Sequence, residues 1–193
     1  MQPLIDHART FGRRPEEFAG HAEGQSPEVL FVTCSDSRVV PALITGARPG
    51  QLFELRTAGN IVPPHDAEHP SGEAATVEYA VQVLGVTDIV VCGHSHCGAV
   101  GALVRGDDLT AVPAVRDWLA HAADEPGPCD PADPAVADAV RHHVLAQLLR
   151  LRSYPCVERR LAEGRLRTHG WYYEVHTGLV RQYRADTDTF ETL

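Results

Sequence analysis

Two short, uninterrupted apolar runs constrain the fold of this 193-residue chain more than any other feature. They are VLFVT (Val29–Thr33) and IVVC, which ends the predicted strand Thr87–Cys92 (TDIVVC). Both are rich in β-branched residues, and each fits a strand covered on both faces. Gln51–Leu55 (QLFEL) lies between them in the chain and predicts a third strand. Because helical patterns alternate with these strands, the sequence predicts an α/β fold with a mainly parallel central sheet flanked by helices.

Apolar spacing and boundary residues predict the helices and the end of the sheet. The predicted helices span Pro3–Thr10, Pro15–Ala22, Val39–Thr45, 72–84, Cys97–Val104, Pro113–Ala123, Ala135–Leu151 and Glu158–Glu163. Three further strand patterns follow, at Arg165–His169, Trp171–His176 and Leu179–Tyr183. Because Gly170 and Gly178 mark short turns between these strands, we expect an antiparallel strand at the edge of the sheet.

Composition excludes several classes of protein. The net charge of -9, from 17 basic and 26 acidic residues, argues against a nucleic-acid partner, since phosphate binding requires a basic face. No apolar run approaches the ~18 residues of a membrane span, so an integral membrane protein is excluded. Residues 1–14 show no apolar signal region, and the five cysteines are odd in number. We therefore expect a reducing, cytoplasmic location without a disulfide framework.

Metal-ligating side chains follow two of the predicted strands. The strand at Val29–Thr33 is followed by CSDSR (34–38), and the strand at Thr87–Cys92 by HSHCG (94–98). Sites in open α/β sheets form beyond the carboxyl ends of the strands, so Cys34, His94 and Cys97 converge if these strands are neighbours. Two thiolates and one imidazole suit zinc and leave a fourth position for water. Spacing alone leaves open the alternative that these are three unrelated buried residues.

Four motifs together carry a family resemblance. They are CSDSR (34–38), RTAGNIVPP (56–64), EYAV (78–81) and CGHSHCGA (92–99). From about residue 24 to residue 173 the chain resembles the β-class carbonic anhydrases, in their plant-like branch. The resemblance implies a β-carbonic anhydrase-like fold and a zinc lyase that reversibly hydrates carbon dioxide to bicarbonate and a proton. It also implies that Cys34, His94 and Cys97 are the zinc ligands.

The same resemblance implies roles for an acidic and a basic side chain beside the metal. Asp36 and Arg38 would form the catalytic pair of the family, with the arginine holding the carboxylate ionised and oriented. Asp36 is also a conditional fourth zinc ligand, since some relatives turn this aspartate onto the metal. Phe31 and Thr33 stand where one branch has the Trp and Gly of a regulatory bicarbonate pocket. We therefore expect Asp36 to stay paired with Arg38 at neutral to alkaline pH.

Substrate-binding residues are implied at five positions. The amide of Gly98 would face the substrate, and Phe53 and Ala58 would form a small apolar wall for carbon dioxide. Gln25 and Tyr79 match positions that reach the active site across a dimer interface in the plant-like branch. Apart from the resemblance, Gln25 fits a solvated loop residue and Tyr79 a half-buried helix aromatic.

Two other functions share the sequence features of the predicted site. One is a hydrolase of CS2 or COS that uses the same zinc, and the other is a catalytically silent zinc-binding scaffold protein. The intact set of ligands and the Asp36–Arg38 pair argue against a silent scaffold. The partners that we expect are CO2 or bicarbonate and further copies of the chain, as a homodimer or a higher even oligomer. We expect residues 1–24 to form an N-terminal helical arm and residues 25–193 a single α/β catalytic domain.

Overall fold

The computed structural model describes residues 1–12, 18–123, 127, 130 and 133–193 of the chain. Its centre is a six-stranded sheet with the order β2-β1-β3-β4-β5-β6. The strands are β1 (Val29–Cys34), β2 (Leu52–Thr57), β3 (Asp88–His94), β4 (Arg167–Tyr173), β5 (Val180–Arg184) and β6 (Thr189–Thr192). The first four strands are mutually parallel, and β5 and β6 add an antiparallel edge. The predicted fold class is confirmed.

Seven α-helices connect and cover the strands that the structure describes. They are α1 (Gln2–Phe11), α2 (Pro41–Thr45), α3 (Gly72–Glu78), α4 (Gly98–Arg105), α5 (Pro113–Leu119), α6 (Ala137–Arg152) and α7 (Pro155–Ala162). Short 3-10 turns lie at Ala19–Glu23, Ala58–Asn60 and Ala120–Ala122, and a π-helical turn at Tyr79–Leu84 continues α3. Gly46 and Gly85 end their helices in the left-handed conformation, which glycine adopts without the steric cost of a side chain.

The main core lies between one face of the sheet and the helices α3, α4, α6 and α7. Alternate residues of β1 and β3 point into it, including Leu30, Val32 and Val91. Gly93 allows α6 to approach closely, because an added Cβ would lie 2.6 Å from a methyl group of Val144. The opposite face of the sheet carries a smaller apolar group, which consists of Phe31, Val90 and Cys92 with Val29, Trp171 and Tyr173 against it.

One strand prediction is wrong, and one strand was not predicted. The sequence predicts a turn at Gly170 between Arg165–His169 and Trp171–His176, but β4 continues through this residue. Gly170 instead makes room for α6, since an added Cβ would lie 2.9 Å from Leu148. The polar strand β6 has no apolar alternation that would reveal it. The remaining predicted strands agree with β1, β2, β3 and β5 to within a few residues.

The amino-terminal region is described in part. The helix predicted at Pro3–Thr10 is present as α1, and none of its residues is buried. The helix predicted at Pro15–Ala22 lies partly outside the described residues. The division into an arm and a single catalytic domain stays a prediction. Among the helices described, none has the length and apolar character needed to cross a membrane.

Candidate metal centre

Three potential metal ligands meet beyond the carboxyl ends of the parallel strands β1 and β3. Cys34 is the last residue of β1, and His94 is the last residue of β3, the parallel neighbour of β1. Cys97 immediately precedes α4. The two sulfur atoms and a ring nitrogen of His94 all lie within 4.8 Å of one another, and all three residues are buried. The strand order therefore brings together the group that the sequence suggested.

The ring of His94 is oriented with one nitrogen free for a ligand. Its Nδ1 lies 2.9 Å from the carbonyl oxygen of Ser95. Because a carbonyl can only accept, Nδ1 carries the proton and Nε2 keeps its lone pair. Nε2 is buried and has no hydrogen-bond partner in the structure. A buried nitrogen left without a partner is costly in a folded protein, and a metal ion would supply the missing partner.

The two thiols share one negative charge. The pKa of Cys34 is lowered, chiefly because the Cys97 thiol donates a hydrogen bond to it, although burial opposes the shift. Two backbone amides also donate to the Cys34 sulfur, Asp36 N at 3.4 Å and Gly59 N at 3.3 Å. The neighbouring Cys34 raises the pKa of Cys97, so Cys97 keeps the proton of the pair. A divalent cation would displace that proton, since thiolates are the metal-binding form of cysteine.

Asp36 and Arg38 form a two-pronged ion pair beside the ligands. Arg38 Nε donates to Asp36 Oδ1 at 3.0 Å, and Nη2 donates to Oδ2 at 2.7 Å. The backbone amide of Arg38 adds a third hydrogen bond at 2.9 Å. These contacts, first of all the side-chain hydrogen bonds, lower the pKa of Asp36 to about 2, so its carboxylate is ionised at neutral pH. Asp36 Oδ2 lies 3.9 Å from His94 Nε2, at the border of the ligand group.

The loop that carries these residues is held by an arginine to which the sequence assigned no role. Arg56, in β2, donates through Nη2 to the carbonyl oxygens of Cys34, Asp36 and Val39 at 2.9, 2.9 and 2.7 Å. Arg56 opens the RTAGNIVPP motif, which was its only signal in the sequence. The clamp fixes the direction in which the chain leaves β1, and with it the position of the Asp36 carboxylate.

Four of the predicted substrate-binding residues have exposed or partly exposed positions in the structure. Gly98 begins α4 directly after Cys97, and its backbone is exposed. Phe53 and Tyr79 contact each other with ring centroids 5.9 Å apart, and Tyr79 is 45% exposed. Ala58 is exposed at the end of β2.

Gln25 lies away from the ligand group within one chain. It precedes β1, whereas Cys34 ends that strand, so the two residues lie at opposite ends of β1. Its side chain is exposed in a surface cavity lined also by Pro49 and Gly50. The structure of a single chain therefore does not bring Gln25 to the metal centre.

Comparisons with known proteins agree with this site. A model of the carbonic anhydrase family matches residues 29–180. The carbonic anhydrase of Pseudomonas aeruginosa is 48% identical over 190 residues, which cover 93% of this chain and 86% of that protein. The structure of the β-carbonic anhydrase CcaA superposes with a TM-score of 0.90 at 38% identity, covering 100% of this chain and 92% of that one.

A second solved structure is described as a tetramer. This β-carbonic anhydrase of Sordaria macrospora has a TM-score of 0.74 and is 30% identical, with 94% of this chain and 92% of that chain covered. Together, the fold, the Cys-His-Cys group and these similarities define a metalloenzyme of the lyase class. The chain belongs to the β-class carbonic anhydrase family.

Proposed function

We propose that this chain catalyses the reversible hydration of CO2 to bicarbonate and a proton at a zinc ion bound by Cys34, His94 and Cys97. The observation that carries the proposal is the buried, unpartnered Nε2 of His94 beside two cysteine sulfurs. Two thiolates and one neutral imidazole are a donor set that suits zinc and leaves one position open, as in catalytic zinc sites. When bound, zinc supplies a Lewis acid that lowers the pKa of a water molecule toward ~7.

The Asp36 carboxylate would orient the attacking water. As an ionised acceptor next to the ligand group, it can take the hydrogen bond of this water and direct a lone pair at the carbon of CO2. Arg38 keeps the carboxylate in this orientation through its paired hydrogen bonds. While that pair holds, Asp36 is not a zinc ligand, and we propose that it acts as one only at acid pH.

The substrate would bind between the start of α4 and an apolar wall. In the proposal the Gly98 amide donates to a substrate oxygen, and Phe53 and Ala58 form the wall. Tyr79 and Gln25 would bind bicarbonate oxygens across a subunit interface. Within its own chain Gln25 lies at the opposite end of β1 from Cys34, so this role for Gln25 requires a partner chain. We therefore propose a homodimer or a higher even oligomer.

We also propose that the protein works in a reducing compartment such as the cytoplasm. The four cysteines that the structure describes are free, and two of them are the proposed zinc ligands. Thiolate ligands must stay reduced to bind metal, which an oxidising compartment would oppose.

Stopped-flow kinetics of the zinc-loaded protein tests the proposal. We expect CO2 hydration that rises with protein concentration and is abolished when a chelator removes the metal. The same preparation should turn over COS and CS2 far more slowly. Faster hydrolysis of COS or CS2 than hydration of CO2 would replace the proposed substrate. A zinc-loaded protein that is inactive on CO2, COS and CS2 would leave a catalytically silent zinc-binding scaffold as the remaining function.

A further inference from the structure

The segment that follows β2 places a backbone amide within hydrogen-bond distance of the sulfur of Cys34. Gly59 N–H donates to this sulfur at 3.3 Å. Gly59 has a φ of 72°, in the left-handed region that favours glycine, and an added Cβ would lie 2.8 Å from the Cβ of Ala99. Glycine at this position therefore allows both the turn and the close approach to the ligand group.

Two side chains hold the peptide units on either side of Gly59. Trp118 Nε1, from α5, donates to the carbonyl oxygen of Ala58 at 2.8 Å. His143, from α6, contacts the carbonyl oxygen of Gly59 through Nε2, also at 2.8 Å. The Ala58 carbonyl and the Gly59 amide belong to one peptide unit. The indole N–H, this peptide and the Cys34 sulfur therefore form a chain of hydrogen bonds, in which each bond polarises the next.

His143 is neutral near pH 7 and donates a hydrogen bond to the Gly59 carbonyl oxygen. It is only 3% exposed, and burial lowers its pKa to about 4. Because the Gly59 carbonyl can only accept, Nε2 carries the proton of the neutral ring. Gln147 Nε2 lies 3.5 Å from the other ring nitrogen, and Gln147 Oε1 accepts from the amide of Val62 at 2.8 Å. Helix α6 thus fixes the same segment at two points.

We propose that Trp118 and His143 are positioning residues of the metal centre, which hold the Gly59 amide against the Cys34 sulfur. The inference rests on the proposed metal site. A hydrogen bond to a metal-binding thiolate withdraws electron density from the sulfur, and hydrogen-bonding partners around metal ligands tune the metal in this way. Loss of either positioning contact should leave Cys34 a stronger electron donor.

Cobalt(II) in place of zinc gives a spectroscopic measure of this effect. The thiolate-to-cobalt charge-transfer band should move to longer wavelength in Trp118→Phe and in His143→Leu. Cobalt binding should nevertheless weaken, by ~10- to 100-fold in a chelator competition, because the Cys34 sulfur is no longer held in the binding geometry. His143→Gln should restore the wild-type band, because its amide can still donate to the Gly59 carbonyl.

A matched control separates positioning from general stability. Tyr154 is buried, and its hydroxyl donates to the carbonyl of Pro63 at 2.7 Å, in the same segment but away from Cys34. Tyr154→Phe should lower the midpoint of unfolding and leave the cobalt band in place. An equal band shift in Tyr154→Phe would show that the effect is only structural, and would overturn the inference.

The remaining outcomes are also decisive. If His143→Leu does not fold, Trp118→Phe alone decides, and a wild-type band in that variant overturns the inference. A wild-type protein that binds no cobalt would overturn the proposed function and this inference together. A wild-type protein that binds cobalt, with unshifted bands in every variant, would overturn this inference alone.

Discussion

Replacing His143 with glutamine should make the stability of the protein less dependent on pH. Glutamine can keep the hydrogen bond to the Gly59 carbonyl but cannot take up a proton. Burial holds the pKa of His143 at about 4 in the folded chain, against an ordinary value of 6.5. Arg150 and His142 also disfavour its protonation, whereas the Gly59 carbonyl and Cys34 favour it.

The sign and size of the effect follow from linkage. Above about pH 7.5 the ring is neutral in both the folded and the unfolded chain, so His143 does not lower the free energy of unfolding. As the pH falls below the ordinary pKa of 6.5, the unfolded chain binds a proton at this histidine and the folded chain does not. The free energy of unfolding therefore decreases. The two pKa values predict a loss of about 2 kcal/mol between about pH 7.5 and 5, and about 3 kcal/mol below both pKa values.

Urea unfolding followed by circular dichroism measures this difference. Wild type and His143→Gln are titrated across the same pH range, with chelator in both so that acid release of metal contributes to neither. We expect the wild-type free energy of unfolding to fall more steeply toward pH 5, by about 2 kcal/mol over the range. Parallel curves for the two proteins would refute a buried, neutral histidine at this position.

Four further substitutions test other parts of the structure. Asp36→Asn should lower CO2 hydration on the order of 100-fold with the metal retained, and metal loss would contradict its orienting role. Gln25→Ala and Tyr79→Phe should each weaken turnover at unchanged metal content, and a fully active wild-type monomer would refute their action across an interface. Gly93→Ala should destabilise the fold by ~1–3 kcal/mol in urea, since its Cβ would lie 2.6 and 2.7 Å from methyl groups of two α6 valines. An unchanged midpoint would contradict that packing.

The parallel part of the sheet was predictable because its strands are covered on both faces. Such strands are continuous apolar runs, as in Val29–Thr33, and the helices between them have clear boundaries. Gly170 was misinterpreted because a glycine within a strand pattern also fits a turn. The packing of α6 against β4 decides between the two, and that packing joins residues far apart in the chain.

The proposed ligands were predictable for a different reason. Cys34 and His94 stand where adjacent parallel strands end, so local pattern and topology are enough to bring them together. Trp118 and His143 act on carbonyl groups 60 and 84 residues away, and any residue type can supply a carbonyl. No local pattern marks such a contact, so only the three-dimensional structure reveals it. The role proposed for Gln25 depends on a partner chain, so neither a local pattern nor the structure of one chain can reveal it.

We propose that CO2 hydration takes place at one zinc per chain, bound by Cys34, His94 and Cys97. The most direct test adds zinc stepwise to chelator-treated protein and follows the rate of CO2 hydration by stopped flow. We expect a rate that rises linearly, reaches its plateau at about one zinc per chain, and stays at background in Cys34→Ser. Full activity before any zinc is added, or an unchanged titration in Cys34→Ser, would contradict it.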